Sequence, residues 1–400
     1  MTKKNNEVEA KSVLFTRNFI FSWLSNLLLS ISFYMMMPVL PFYLIDNLGT
    51  SGSVTGIVLS LYMVAALLIR PFSGYIVDTF SRKPLYLFCY GAFTAIMGGY
   101  VVVASLTGFI ILRILHGFSF GLSAVSGNTL AIDVMPANRR GEGIGYYGMG
   151  TYIAMAIGPA AGLWFYQNYS FEIFFLSAFA ISLVGFITAI GIKAPRLETV
   201  PVKEKQPLSL DRFILVKALP CALLLFTVAI AYGSLTNYIG IYCETIPTVG
   251  NAGLFFVIVS GGVVLSRLIS ARSLNNGKIV QSICIGAVFF LAAYMLFTFC
   301  IGKTIFYISA FLLGTGFGYI SPAFQTLFIN MAQHDQRGTA NATYFTVFSF
   351  GLGLGIAIGG FIIDKLNFQW LFGICGIIII AAFISFVFFS APYFEKNKLR

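Results

Sequence analysis

"NTLAIDVMPANRRGEGIGYYG", residues 128–148, returns 197 residues later as "QTLFINMAQHDQRGTANATYF", residues 325–345. Over 128–162, nine of thirty-five positions coincide under that shift, among them Thr129, Leu130, Arg140, Gly141, Tyr147, Gly158 and Gly162. Composition alone would give roughly two or three. The same ungapped register carries Arg70 onto Arg267, Gly117 onto Gly314 and Gly121 onto Gly318. The second half of the chain is therefore a copy of the first.

What is copied is apolar. Of 400 residues 58% are hydrophobic and 10% charged, and the mean hydropathy of +0.88 is more than a soluble core could hide. The apolar residues fall into runs long enough, at about 1.5 Å per residue, to cross about 30 Å of hydrocarbon. Twelve spans are expected, at 17–45, 54–77, 85–106, 108–135, 143–166, 171–192, 214–243, 249–271, 279–301, 303–332, 339–364 and 369–392. One long polar stretch, "KAPRLETVPVKEKQPLSLDR", divides them six and six. The expected organisation is a six-helix half over 1–192, a connector over 193–213 and a second six-helix half over 214–400. Parallel repeats of this kind suit a transporter whose halves rock about a site between them. The fold class is an all-α integral membrane protein with two pseudo-symmetric halves.

The net charge of +11 would suit a nucleic-acid binder, but the positions of the charges argue against one. Of 25 Lys and Arg, 22 lie before the first span, in the connector, at alternate loops or at the C-terminus, all on one side; only Lys303 and Lys365 fall opposite, and Arg113 lies within a span. By the positive-inside rule both termini and the connector are expected in the cytoplasm of a cell membrane. The basic start "MTKKNN" runs into an apolar stretch too long for a cleavable leader, so the first span is expected to stay as an anchor. Six scattered cysteines show no CxxC spacing and read as small buried hydrophobes. Phosphate-cradling GxxxxGK[ST] and HExxH are absent, which speaks against an ATP-driven pump or a membrane metallohydrolase. No enzyme activity, metal or cofactor is expected.

Three constellations carry more than topology. "GYIVDTFSRKP", 74–84, sets Gly74, Asp78, Arg82 and Lys83 at the end of the second span. Topology accounts for the basic pair, but a carboxylate beside hydrocarbon costs several kcal/mol unless it is paired or capped. "RILHGFSFG", 113–121, places Arg113, Gly117 and Gly121 on one face of the fourth span, with His116 three residues on from the arginine. Small residues at that spacing let helices approach, and an intramembrane arginine costs about 2.5–3.5 kcal/mol on an insertion scale. In the fifth span "GIGYYGMGTYIAMAIGPAAG", 143–162, combines Gly145, Gly158, Pro159 and Gly162, which weaken the helix and open a groove for a neighbour.

These stretches resemble the major facilitator superfamily over nearly the whole chain. The first is similar to its loop between helices 2 and 3, with Thr79 and Ser81 replacing a basic residue and a glycine; the second is similar to its helix 4 motif; the third resembles its antiporter motif, with Ala154 and Leu163 in place of glycines. The resemblance implies a conformational lock. Asp78 would dock on the N-terminus of helix 11 near Gly338 and Thr339, and Arg82 would bridge Asp78 and Asp133. It also implies that Arg113 serves substrate and proton traffic, in the manner of the drug/proton antiporter and metabolite efflux branch.

None of the fourteen acids lies at mid-membrane. If protons are coupled, the carriers are expected among Asp46 or Glu244 at one mouth, Asp133 at the other, or His116, whose imidazole titrates near neutrality. The expected cavity lining is aromatic and weakly polar: Asn26, Tyr34, Arg113, His116, Tyr232, Thr236, Asn237, Tyr238, Ser321, Gln325 and Tyr344. Such a surface suits a small amphipathic molecule. The expected function is proton-coupled efflux by a monomeric carrier driven by the proton gradient. A sugar or metabolite permease of the same fold is the alternative, and a non-transporting receptor or lipid-moving protein a third reading.

Overall fold

The computed structural model describes residues 13–136, 139–193, 214–246, 248–299, 302–333 and 336–399. Among them there is no strand, and twelve long helices dominate. They are α1 (Arg17–Met36), α2 (Gly52–Thr79), α3 (Arg82–Val102), α4 (Leu106–Val134), α5 (Arg140–Asn168), α6 (Phe171–Ile190), α7 (Leu223–Thr245), α8 (Ala252–Asn275), α9 (Ile279–Phe299), α10 (Lys303–Asn330), α11 (Arg337–Lys365) and α12 (Phe368–Ser385).

Both chain ends lie on one face. There Asn18 Nδ2 donates to the Lys193 carbonyl at 2.9 Å, the Leu215 N–H donates to Thr343 Oγ1 at 2.7 Å, and the Leu399 N–H donates to the Asn330 carbonyl at 2.8 Å. This is the terminal face; the opposite one is the distal face. Five of the six helices that start at the distal face are capped by short polar side chains: Ser51, Ser105, Ser170, Asn251 and Asn367 each accept a first-turn N–H, while α10 starts on Gly302 without such a cap. By contrast α3, α5 and α11 start at the terminal face on Arg82, Arg140 and Arg337, a charge their helix dipoles disfavour. Membrane topology outweighs capping at those ends.

Over the described residues, eleven helices are long and apolar enough to cross a membrane. The remaining one, α5, has 29 residues and is rich in glycine and tyrosine; it is wedged between α1 and α8, with Ile153, Ile157 and Trp164 among its exposed residues. Two spans differ from the sequence expectation. The first breaks after Met36 at Pro38 and Pro41 and continues through Leu40–Phe42 into a π-turn, Tyr43–Asn47. The seventh starts at Leu223 instead of 214, because Pro220 sits in a 3₁₀ turn, Val216–Cys221, and helps to end it.

The packing obeys the repeat. In the first set of six, α1 lies on α5 and α6, α2 on α4, and α3 on α4 and α6; in the second, α7 lies on α11 and α12, α8 on α10, and α9 on α10 and α12. The two lists are one list advanced by six helices. Between the sets, α2 meets α11 and α5 meets α8, each the image of the other. The closest approach is distal. A Cβ on Gly56 would stand 2.8 Å from the Ala357 carbonyl oxygen, whereas on its repeat mate Gly253 it would stand 3.7 Å from that of Ala160. The α2–α11 seam is therefore tighter than its image, and both seams meet near the distal face.

Candidate functional site: a cavity between the two helix sets

A cavity of about 130 Å³ lies between the two sets. From the first set come Tyr34 and Met37 on or just beyond α1, and Thr151, Met155 and Pro159 on α5. The second set supplies most of the wall: Tyr232 and Thr236 on α7, Phe256 on α8, Phe317, Ser321 and Gln325 on α10, and Tyr344, Phe345, Phe348 and Leu352 on α11. Tyr232 stacks on Phe317 with centroids 4.6 Å apart and planes within 9°, and Tyr344 lies parallel to Phe348. Ser321 Oγ and the Tyr344 hydroxyl are 2.9 Å apart, and Gln325 Nε2 donates to Asn341 Oδ1 at 2.7 Å. No lining residue carries a charge. The site offers ring faces and a few reorientable hydroxyl and amide groups, which suits a molecule with an apolar body and neutral polar edges.

Of the residues expected here, Tyr34, Tyr232, Thr236, Ser321, Gln325 and Tyr344 line the cavity. Asn26 stands one step back, its Nδ2 3.5 Å from Oγ1 of the lining residue Thr151. Asn237 turns onto its own helix and donates to the Gly233 carbonyl at 3.0 Å, and Tyr238 donates to the Ile356 carbonyl at 3.0 Å. The expectation that Arg113 and His116 line the cavity is corrected: both sit inside the first helix set. Arg113, 5% exposed, donates from Nη2 to the Leu59 carbonyl at 3.0 Å and lies over the Tyr62 ring at 5.0 Å. His116 is fully buried among Phe33, Tyr62, Phe93 and Tyr100, with Nδ1 3.3 Å from the Tyr100 hydroxyl. Among the described residues, His116 Nε2 and Arg113 Nε have no hydrogen-bond partner.

The reason is steric. Gly117 and Gly121 bring α4 against Tyr62, Ala65 and Ile69 of α2, so the face that carries Arg113 meets α2 and not the cavity. In α5 the glycines do similar work: Gly158 and Gly162 lie against Tyr34 and Met35 of α1, while Gly355 and Gly359 lie against Ile230 and Ser234 of α7. Of Gly158, Pro159 and Gly162, the proline reaches the cavity. Packing thus recurs in both halves, and the proline, replaced by Ile356 in the second, is what differs.

At the terminal face Arg82 Nη1 forms an ion pair with Asp133 Oδ1. Lys83 Nζ donates to the Ile190 carbonyl at 3.1 Å, closing the C-terminal end of α6. Gly74 and Asp78 belong to the last turns of α2, and Gly145 to the start of α5; their surroundings, and those of Gly338, lie outside the described residues. At the distal face Asp46 and Glu244 are exposed, and the Tyr166 hydroxyl of the first set stands near the Glu244 carboxylate of the second. Sequence reasoning missed Met37, Met155, Phe256, Phe317 and Phe348. In a chain with 42 phenylalanines nothing distinguishes a ring that faces a cavity from one that faces lipid.

A twelve-helix membrane protein with a central, charge-free cavity between repeated halves has the build of a transporter. The chain belongs to the Major Facilitator Superfamily, whose model matches residues 22–355 and 306–400. It is 24% identical over 353 residues to the staphylopine export protein of Staphylococcus aureus, covering 84% of this chain and 87% of that one. To the multidrug resistance protein MdtG of Escherichia coli it is 27% identical over 345 residues, covering 80% and 82%. Among solved structures it resembles the nucleoside transporter NupG (D323A mutant), with a TM-score of 0.77 at 16% identity over 92% of this chain and 98% of that one. A peptide transporter bound to alafosfalin gives a TM-score of 0.78 at 12% identity, covering 96% of each chain. At such identities the solved structures speak for the fold.

Proposed function

We propose that this protein is a secondary transporter of the plasma membrane, exporting small amphipathic molecules in exchange for protons by alternating access. The observation that carries the reading is the cavity between the helix sets, walled by stacked aromatic rings with Ser321, Gln325 and Tyr344 as its polar groups. Two relatives are named for export or drug resistance, which favours efflux. The terminal face is cytoplasmic by the charge rule, and the carrier works as a monomer.

Coupling is assigned to groups outside the cavity. Arg113 and His116 form one buried pair in the first set, and Asp46 and Glu244 meet Tyr166 at the distal mouth. Around the Arg113–His116 pair stand Tyr62 and Tyr100, so a proton gained by His116 would be felt at the guanidinium and at α2. Asp78, Arg82 and Asp133 act as the lock at the terminal face. The test is flux in proteoliposomes under an imposed pH gradient, across a panel of amphipathic dyes, nucleosides, sugars and metal-chelating acids. Accelerated release of an amphipathic dye into the acidic compartment supports exchange. Uptake of a sugar or nucleoside with no response to pH would instead establish the metabolite-permease reading, which the absence of a carboxylate in the cavity favours.

A further inference from the structure

The distal seam between the helix sets is held by more than glycine packing. Asp364, the penultimate residue of α11, reaches across to the first turn of α2. Its Oδ2 accepts from Ser53 Oγ at 2.7 Å, and its carboxylate stands beside the backbone N–H groups of Gly52 and Ser53. The α2 cap explains why those donors are available. Ser51 Oγ takes the Val54 N–H, which leaves the first two N–H groups of the helix unmet within their own half. A carboxylate from the other half meets both at the positive end of the α2 dipole.

We propose that Asp364 is the distal latch of the transport cycle, a positioning residue that fastens α2 to α11 and holds the distal side of the cavity shut. Three further observations support it. Gly360, one turn before the acid, has no side chain where one would collide with the Gly52 carbonyl and the Tyr238 hydroxyl, so α11 can bring Asp364 this close. The neighbouring Lys365, 64% exposed with Nζ 3.9 Å from Asp364 Oδ2, is too loose to be the main partner. The image seam lacks the device: under the 197-residue shift Asp364 falls on Gln167 and Ser53 on Gly250, so one of the two seams is fastened this way.

The arrangement is also written in the sequence. "GYIVD", 74–78, ends α2 and "GFIID", 360–364, ends α11, each with a glycine four residues before a penultimate acid. The two helices run antiparallel, so the last turn of each lies at the face where the other begins. Asp78 is placed for the terminal face and Asp364 for the distal face. The pair of pentapeptides falls outside the 197-residue register, so it is no by-product of the duplication. The Asp364 side chain is 24% exposed, so water can replace its partners when the seam parts. That makes the latch weak enough to cycle.

The inference does not depend on substrate or coupling, and its test needs neither. Spin labels are placed on Ala104→Cys and Lys303→Cys, exposed distal positions in opposite helix sets, with the six native cysteines replaced, and distances are measured by pulsed electron resonance in nanodiscs. Wild-type protein should show mainly the short, distal-closed distance. In Asp364→Asn the ratio of distal-open to distal-closed molecules should rise about five- to tenfold. Ser53→Ala, which removes the hydroxyl donor but leaves the helix N-terminus, should raise it about two- to threefold, and Asp364→Glu should return it to within about twofold of wild type. A ratio in Asp364→Asn within about twofold of wild type overturns the proposal, as does a fall in melting temperature with no change in the ratio. Should Asp364→Asn fail to fold, an unmoved distance distribution in Ser53→Ala overturns it equally.

Discussion

The unequal seams yield a prediction with an internal control. Gly56 and Gly253 occupy the same position in the two repeats, yet a methyl group at Gly56 would lie 2.8 Å from the Ala357 carbonyl oxygen and 2.9 Å from that of Ile356, both backbone. At Gly253 the nearest atom would be Asn251 Oδ1 at 3.0 Å, a side-chain oxygen, with the Ala160 carbonyl oxygen at 3.7 Å. Overpacking against backbone costs typically about 1–3 kcal/mol, and here only the distal-closed state carries the contact. Gly56→Ala should therefore raise the distal-open population about fivefold to a hundredfold, and Gly253→Ala should change it less than about threefold. The assay is the labelling rate of Met37→Cys, a cavity residue near the distal end, by a membrane-impermeant maleimide added from the distal side. Equal rates in the two glycine variants, or a larger effect at Gly253, would refute the reasoning that the α2–α11 seam controls distal closure.

Other outcomes follow from single contacts. Arg82→Gln leaves the Asp133 carboxylate, 9% exposed, without its cation; the terminal-closed state should lose about 1–3 kcal/mol, read as a lower transport rate with normal membrane insertion, and Arg82→Lys should recover only part. Arg113→Lys cannot both donate to the Leu59 carbonyl and lie flat on Tyr62, so flux driven by a pH gradient should fall at least about tenfold while the melting temperature moves little. His116→Ala opens a void among four aromatic rings and should cost about 2–4 kcal/mol by thermal unfolding in detergent; His116→Phe should restore most of the stability, and retention of proton-driven flux in that variant would remove His116 from coupling. Tyr344→Phe removes the hydroxyl that meets Ser321 and should raise the KM for a polar-edged substrate several-fold with the maximal rate unchanged.

Much of the architecture could be read beforehand because the repeat, the charge bias and the span lengths report the same physical fact, a chain partitioned between lipid and water. Arg82 and Asp133 were paired by resemblance, and the two side chains do meet. The cavity was harder. In a soluble helix the polar stripe names the wet side, but here α4 and α7 bury serines, Arg113, His116 and Asn237 inside the helix sets, where backbone carbonyls accept from Arg113 Nη2 and Asn237 and the Tyr100 hydroxyl meets His116. Polarity therefore marks two environments, the cavity and the interhelical packing, and only rotation about each helix axis separates them. Arg113 and Gln325 show the difference: the first follows Gly117 and Gly121 onto α2, the second points between the halves. The Asp364 contact was legible in principle, through the paired pentapeptides, but not by a search confined to one repeat register.

The composition of α5 bears on how the protein is made. A helix enters lipid on the strength of its own apolar surface, and α5 carries glycine and tyrosine at many positions where other spans carry leucine, isoleucine or phenylalanine. Its partner α1 is synthesised more than a hundred residues earlier and already offers the groove that receives Gly158 and Gly162. Its other neighbour, α8, does not yet exist when α5 emerges. In order of synthesis, the helix that forms one wall of the cavity thus meets the first helix before the eighth, and that wall is completed only when the second set is made.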